Sequence, residues 1–176
     1  MTVGAAGGLN VILKALINPG DEVIAFAPYF GEYRSYTNNY DGVLVEISPN
    51  TVDFQPKLDE FEQKITPKTR AVIVNTPHNP TGVVYSEETI KKLAAILEAK
   101  QKEFGTVIYL ISDEPYRELV YDGNKEDFLT KYYHNTIVGY SFSKSCIACC
   151  SSRLASFFSI FLLLLFLSFL YCLINE

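Results

Sequence analysis

Positive charge is in the minority in this chain of 176 residues: 15 lysines and arginines stand against 20 acidic residues, a net charge of −5. A nucleic-acid surface needs clustered basic side chains to neutralise phosphates, so no nucleic-acid partner is expected. Cysteine is scarce as well. The four that exist, Cys146, Cys149, Cys150 and Cys172, all follow residue 145, and nothing demands an oxidising compartment. Cys146 and Cys149 have the spacing of a metal or redox pair, but no second pair and no nearby histidine joins them. His78 reads as structural and His134 as a residue of a polar loop, so no metal site is expected. The opening MTVGAAGGLN lacks the basic region and apolar core of a signal peptide, which predicts a cytoplasmic protein. Charge is missing altogether from residues 154–174, LASFFSIFLLLLFLSFLYCLI, a run long enough to span a bilayer.

What is present is a regular alternation. Apolar residues at helical spacing (Leu9, Ile12, Leu13, Leu16) predict a helix over 5–17, stopped by Asn18-Pro19-Gly20. Short apolar runs predict strands at 22–26, 42–47, 70–75, 106–112 and 136–142. Between them, helices are expected at 31–40 and 56–65, and from Ser86 to about residue 104. Ser86 is a cap, and Glu87 and Glu88 favour the first turn of that last helix. The runs at 70–75 and 106–112 are apolar throughout, as strands buried on both faces are. Strands alternating with helices predict an α/β fold with a mostly parallel central sheet covered on both faces. On such sheets ligands sit beyond the carboxyl ends of the strands. The polar clusters 75–82, 113–117 and 141–144 fall there.

Taken singly, the residues of these clusters are ambiguous. Lys144 could be a surface lysine at a strand end, and Asp113 could be a helix cap. Asn79 could belong to a plain turn rich in proline and glycine. Taken together, Asn79-Pro80-Thr81-Gly82, Asp113-Glu114-Pro115-Tyr116 and Ser141-Phe142-Ser143-Lys144 resemble the motifs of the class I/II aminotransferases of fold type I, in family order. Gly4-Ala5-Ala6-Gly7-Gly8 resembles the family's phosphate-binding turn, and Pro19-Gly20-Asp21-Glu22-Val23 and Pro28-Tyr29-Phe30 resemble its next landmarks. The resemblance covers residues 1–145.

The resemblance implies a three-layer sandwich, the large domain of a pyridoxal 5′-phosphate enzyme, and an incomplete one. It implies transfer of an amino group between an amino acid and a 2-oxo acid, with a homodimer as the intact parent. Lys144 corresponds to the lysine that forms the Schiff base and moves the proton between substrate Cα and the cofactor. Asp113 corresponds to the partner of the pyridine N–H, Asn79 and Tyr116 to the donors to O3′, and Phe30 to the ring stacked on the cofactor. Ala5 and Ala6 would offer N–H groups to the phosphate, helped by the Ser141 hydroxyl. C–S lyases and aminocyclopropane-carboxylate synthase-like enzymes share these motifs. A catalytically inactive fragment, or a membrane-anchored protein without enzyme activity, is the alternative of another class.

Three departures from the family accompany the match. Members are more than twice as long, and the segments absent here carry a tyrosine for the partner subunit's phosphate and an arginine for the substrate carboxylate. After Lys144 the family places an arginine and then a strand inside the sheet; here Arg153 stands one residue late and the apolar run follows. Residues 146–176 are therefore expected to be an aberrant tail produced by a frameshift or a mis-assembled gene end, with a genuine membrane anchor at 154–174 as the alternative. Reading the DNA after codon 145 in the other frames separates the two.

Overall fold

A computed structural model describes residues 2–120 and 128–145. The chain divides into two compact units, Met1–Ser141 and Phe142–Glu176. The first contains α1 (Gly4–Leu16), β1 (Glu22–Phe26), α2 (Glu32–Asn38), β2 (Val43–Ile47), α3 (Leu58–Lys64), β3 (Thr69–Asn75), α4 (Glu87–Phe104), β4 (Tyr109–Asp113), a 3₁₀ turn (Leu129–Lys131) and β5 (Thr136–Gly139). Of the second unit, one helix is described, α5 (Phe142–Ser145). Arg153, the four cysteines and the apolar run 154–174 lie outside the described residues. Among the described residues no helix is long and apolar enough to cross a membrane.

The five strands form one parallel sheet in the order β2-β1-β3-β4-β5. Alternate side chains of each strand point to opposite faces, and the sequence supplies apolar residues at both sets of positions. Val23, Ala25, Ala71, Ile73 and Ile111 pack with Leu9, Leu13 and Ile17 around α1 and with Tyr33 and Tyr36 of α2. Ile24, Phe26, Ile47, Val72, Val74 and Leu110 pack with Phe61 of α3, with Ile90, Leu93 and Leu97 of α4, and with Leu129 and Tyr133. Helices thus cover both faces, and the architecture is the expected three-layer α/β sandwich. Among the described residues β5 pairs only with β4.

The ends of α4 follow from its sequence. Ser86 Oγ accepts a hydrogen bond from the Thr89 N–H at 3.1 Å, which satisfies one of the first-turn donors. Gly105 closes the helix at φ +66°, a left-handed conformation that glycine adopts without a Cβ clash. Two expected strands shift. The run at 106–112 pairs only from Tyr109, and it extends to Asp113 through the Asn75↔Asp113 register. The strand expected at 136–142 ends at Gly139, opposite Asp113, the last residue of β4; Phe142 opens α5 instead.

Candidate functional site

The carboxyl ends of β3, β4 and β5 lie side by side, since Asn75 pairs with Asp113 and Asp113 with Gly139. Three loops leave this edge, and the Asn75 side chain and backbone groups tie them together. The Asn75 amide donates to the Asp113 carbonyl at 2.7 Å, and Asn75 Oδ1 accepts from the Asn79 N–H at 2.6 Å. The Glu114 N–H donates to the Gly139 carbonyl at 2.8 Å. Asn75 is therefore the hub of the site; the sequence marks it as the first residue of the polar cluster 75–82 and assigns it no role of its own.

Asp113 is 5 % exposed. Tyr33 donates its hydroxyl to Oδ2 at 2.5 Å, while buried Oδ1 has no hydrogen-bond partner among the described residues. A buried carboxylate oxygen without a donor is costly, and such an atom beyond the end of a buried strand is poised to accept from a ligand. Burial raises the Asp113 carboxyl from its ordinary 3.8 to about 6; the Tyr33 hydrogen bond opposes that rise and the charge of Glu114 adds to it. Asp113 is thus mostly ionised at neutral pH. Burial, and then the charge of Asp113, push the Tyr33 hydroxyl far above its usual range, so it remains a donor.

Next to Asp113, Glu114 is fully buried. It accepts from Ser112 Oγ at 2.6 Å and from Arg117 Nε at 2.6 Å, and the Arg117 guanidinium stacks 3.6 Å from the centre of the Phe128 ring. These contacts fix the turn that carries Tyr116. Burial, and then the charge of Asp113, raise the Tyr116 hydroxyl above its ordinary 10.0. Tyr116 shares with Asn79 a cavity of about 370 Å³, also lined by Pro77, His78, Pro80 and Leu119. His78 holds the wall of that cavity: Nδ1 lies 2.7 Å from Thr81 Oγ1, the ring stacks on Tyr85, and burial lowers its pKa. Gly82 reaches φ +74° where the loop turns back, and its N–H donates to the His78 carbonyl at 2.6 Å.

Phe30 stands edge-on to Tyr33, with ring centres 5.8 Å apart, and is 36 % exposed. The same Tyr33 bonds Asp113, so one residue links the Phe30 segment to the β4 carboxylate. Ala5 and Ala6 lie in the first turn of α1, where helix geometry provides no intrahelical acceptor for the N–H groups. Ser141 is buried two residues beyond β5, against which α1 packs. The first unit thus brings Asn79, Asp113, Tyr116 and Phe30 into one connected region. Lys144 belongs to α5 in the second unit, and Arg153 lies outside the described residues. Tyr33, Asn75 and Glu114 were not singled out from the sequence. The faint signal for Tyr33 was its position three residues after Phe30 on a helical segment.

The family model "Aminotransferase class I and II" matches residues 1–156. An aspartate/prephenate aminotransferase of Thermus thermophilus is 39% identical over 124 residues, which are 70% of this chain and 31% of that protein. The crystal structure of an amino transferase from Eubacterium rectale superposes with a TM-score of 0.80 at 53% identity, covering 81% of this chain and 36% of that one. An N-succinyldiaminopimelate aminotransferase from Mycobacterium tuberculosis superposes with a TM-score of 0.74 at 30% identity, covering 81% and 37%. The chain spans about a third of the length of the relatives it matches.

Proposed function

The chain belongs to the class I and II aminotransferases, and from that premise we propose that residues 1–145 bind pyridoxal 5′-phosphate and serve amino-group transfer between an amino acid and a 2-oxo acid. The observation that carries this reading is Oδ1 of buried Asp113, at the carboxyl end of β4, which has no hydrogen-bond partner among the described residues. It fits a ring N–H that needs a charged acceptor out of water. When bound, the cofactor supplies a protonated pyridine ring that withdraws electron density from the substrate's Cα.

The chain's own residues then divide the work. Asp113, ionised above about pH 6, holds the proton on the ring nitrogen. Asn79 and Tyr116 would donate to the ring oxygen, and Phe30 would cover a ring face. Ala5 and Ala6 offer first-turn N–H groups to the phosphate, where the helix dipole also favours an anion, and Ser141 adds its hydroxyl. Arg153 would take a phosphate oxygen. Lys144 would supply the amine that holds the cofactor and would carry the substrate proton. The parent protein is a cytoplasmic homodimer, and its other segments grip the substrate carboxylate.

The test is an absorbance titration of residues 1–176 with pyridoxal phosphate, beside a Lys144→Ala variant, with circular dichroism to check folding. A band in the native chain that the variant lacks supports the reading. No band from a folded native chain refutes it and leaves a catalytically inactive fragment. On the full-length parent, a new amino acid with a new oxo acid identifies transamination, whereas pyruvate with ammonia identifies a lyase.

A further inference from the structure

Tyr33 lies 80 residues before Asp113 in sequence, and it makes the side-chain hydrogen bond described for that carboxylate. Its ring is 2 % exposed and held on two sides. Tyr29 stacks on it at 6.2 Å and an interplanar angle of 14°, and Phe30 meets it edge-on at 79°. Thr37 Oγ1 donates to the Tyr33 carbonyl at 2.9 Å and fixes that stretch of α2. A ring clamped in this way delivers its hydroxyl to one point. The terminal torsion of an aspartate is otherwise broad, so a single fixed donor on one oxygen decides the plane of the whole carboxylate.

We infer that Tyr33 is the positioning residue of the site: it occupies Oδ2 of Asp113 and thereby aims Oδ1 alone at the ring nitrogen of the cofactor. The inference rests on the proposed cofactor reading for its second half only; the coupling of Tyr33 to Asp113 stands on the structure of the protein without ligand. Tyr33 has a second effect. Its hydroxyl stabilises the charged form of a carboxylate that burial would otherwise protonate. Among the described residues, the titratable groups bearing on Asp113 are Tyr33 and Tyr36 from α2, and Glu114 and Tyr116 from its own turn. Of these, Tyr33 is the one that donates to the carboxylate, whereas Tyr36 donates to Glu32.

The experiment titrates the Asp113 carboxyl in ligand-free residues 1–176 by carbon-13 NMR of labelled aspartate, assigned with Asp113→Asn. It compares the native chain with Tyr33→Phe and with Tyr36→Phe as control, each checked for folding. Tyr33→Phe is expected to move the midpoint up by about one to two pH units, the worth of a hydrogen bond to a charged group. Tyr36→Phe leaves the midpoint near its native value. A midpoint within a few tenths of native in folded Tyr33→Phe overturns the inference.

Should Tyr33→Phe not fold, the native chain decides. The ring carbon bearing the Tyr33 hydroxyl is expected to shift in step with the Asp113 titration, and a flat response overturns the coupling. A cofactor arm tests the aiming. Affinity of folded Tyr33→Phe for pyridoxal phosphate is expected to fall roughly two- to ten-fold at pH 7, following the protonated fraction of Asp113, and to recover by pH 9. A loss that does not change with pH indicates packing alone and refutes the aiming. A native chain that shows the carboxyl coupling but no cofactor binding refutes the proposed function and leaves the Tyr33–Asp113 link intact.

Discussion

Replacing Asp113 with asparagine should make the ligand-free protein more stable at high pH relative to low pH, because the native carboxylate is held in a place that disfavours its charge. In the folded chain Asp113 titrates at about 6, against an ordinary value of 3.8. The folded state therefore binds that proton more tightly than the unfolded state does. The stabilisation is complete below the ordinary value and is lost as the pH rises through 6. A shift of about two units corresponds to ~3 kcal/mol between the extremes, and roughly half of that falls between pH 5 and pH 8. Asp113 is 5 % exposed, so solvent screens little of it.

Asparagine keeps the shape and an acceptor for Tyr33, and it does not titrate. Its amide N–H groups, set where Oδ1 lacks a partner, bring a cost that is the same at every pH. The quantity to follow is therefore the change with pH. Urea unfolding of the two proteins, monitored by circular dichroism at pH 5 and pH 8, should give a stability difference that moves by about 1.5 kcal/mol in favour of Asp113→Asn at pH 8. Acid effects of the other carboxylates are common to both proteins and cancel. A difference that stays constant within about 0.5 kcal/mol would mean that Asp113 is not held against its ionisation, and the argument from its burial would be refuted.

Two further outcomes test the frame around the site. Gly42→Ala places a Cβ 2.8 Å from Ile17 Cδ1, 2.9 Å from Thr37 Cγ2 and 3.2 Å from the Thr37 carbonyl, at a packed junction of α1, α2 and β2. It should cost about 1–3 kcal/mol of stability in the same urea assay, with no dependence on pH. Glu114→Gln removes the buried carboxylate charge that accepts from Ser112 Oγ and Arg117 Nε, and should cost on the order of 2 kcal/mol, with the turn bearing Tyr116 losing amide-exchange protection first.

Much of this protein can be read along the chain. Apolar runs of strand length alternate with helical spacings, and that alternation sets the layers, because each element must bury its apolar positions against another. Ser86 and Gly105 mark the ends of α4 by their own chemistry. The motifs at 79–82, 113–116 and 141–144 identify the family, since each stands where a parallel strand ends. Strand limits were less legible. Residues 106–108 are as apolar as the strand they precede, and only the register against β3 excludes them. The same holds for residues 140–142, which have a strand-like pattern but no β4 residue to face.

What the tertiary structure alone decided is how residues distant in sequence become one site. The order β2-β1-β3-β4-β5 brings the chain after β1 to the mouth of β4, and so sets Tyr33 against Asp113. No local pattern encodes that meeting, because a side chain carries no mark of a partner 80 residues away. The raised pKa of Asp113 and the orphaned Oδ1 arise from burial and packing around it, which are properties of the assembled core. Sequence shows that a carboxylate is present at the end of a strand; the fold determines which of its oxygens accepts from Tyr33 and which lies buried without a donor among the described residues.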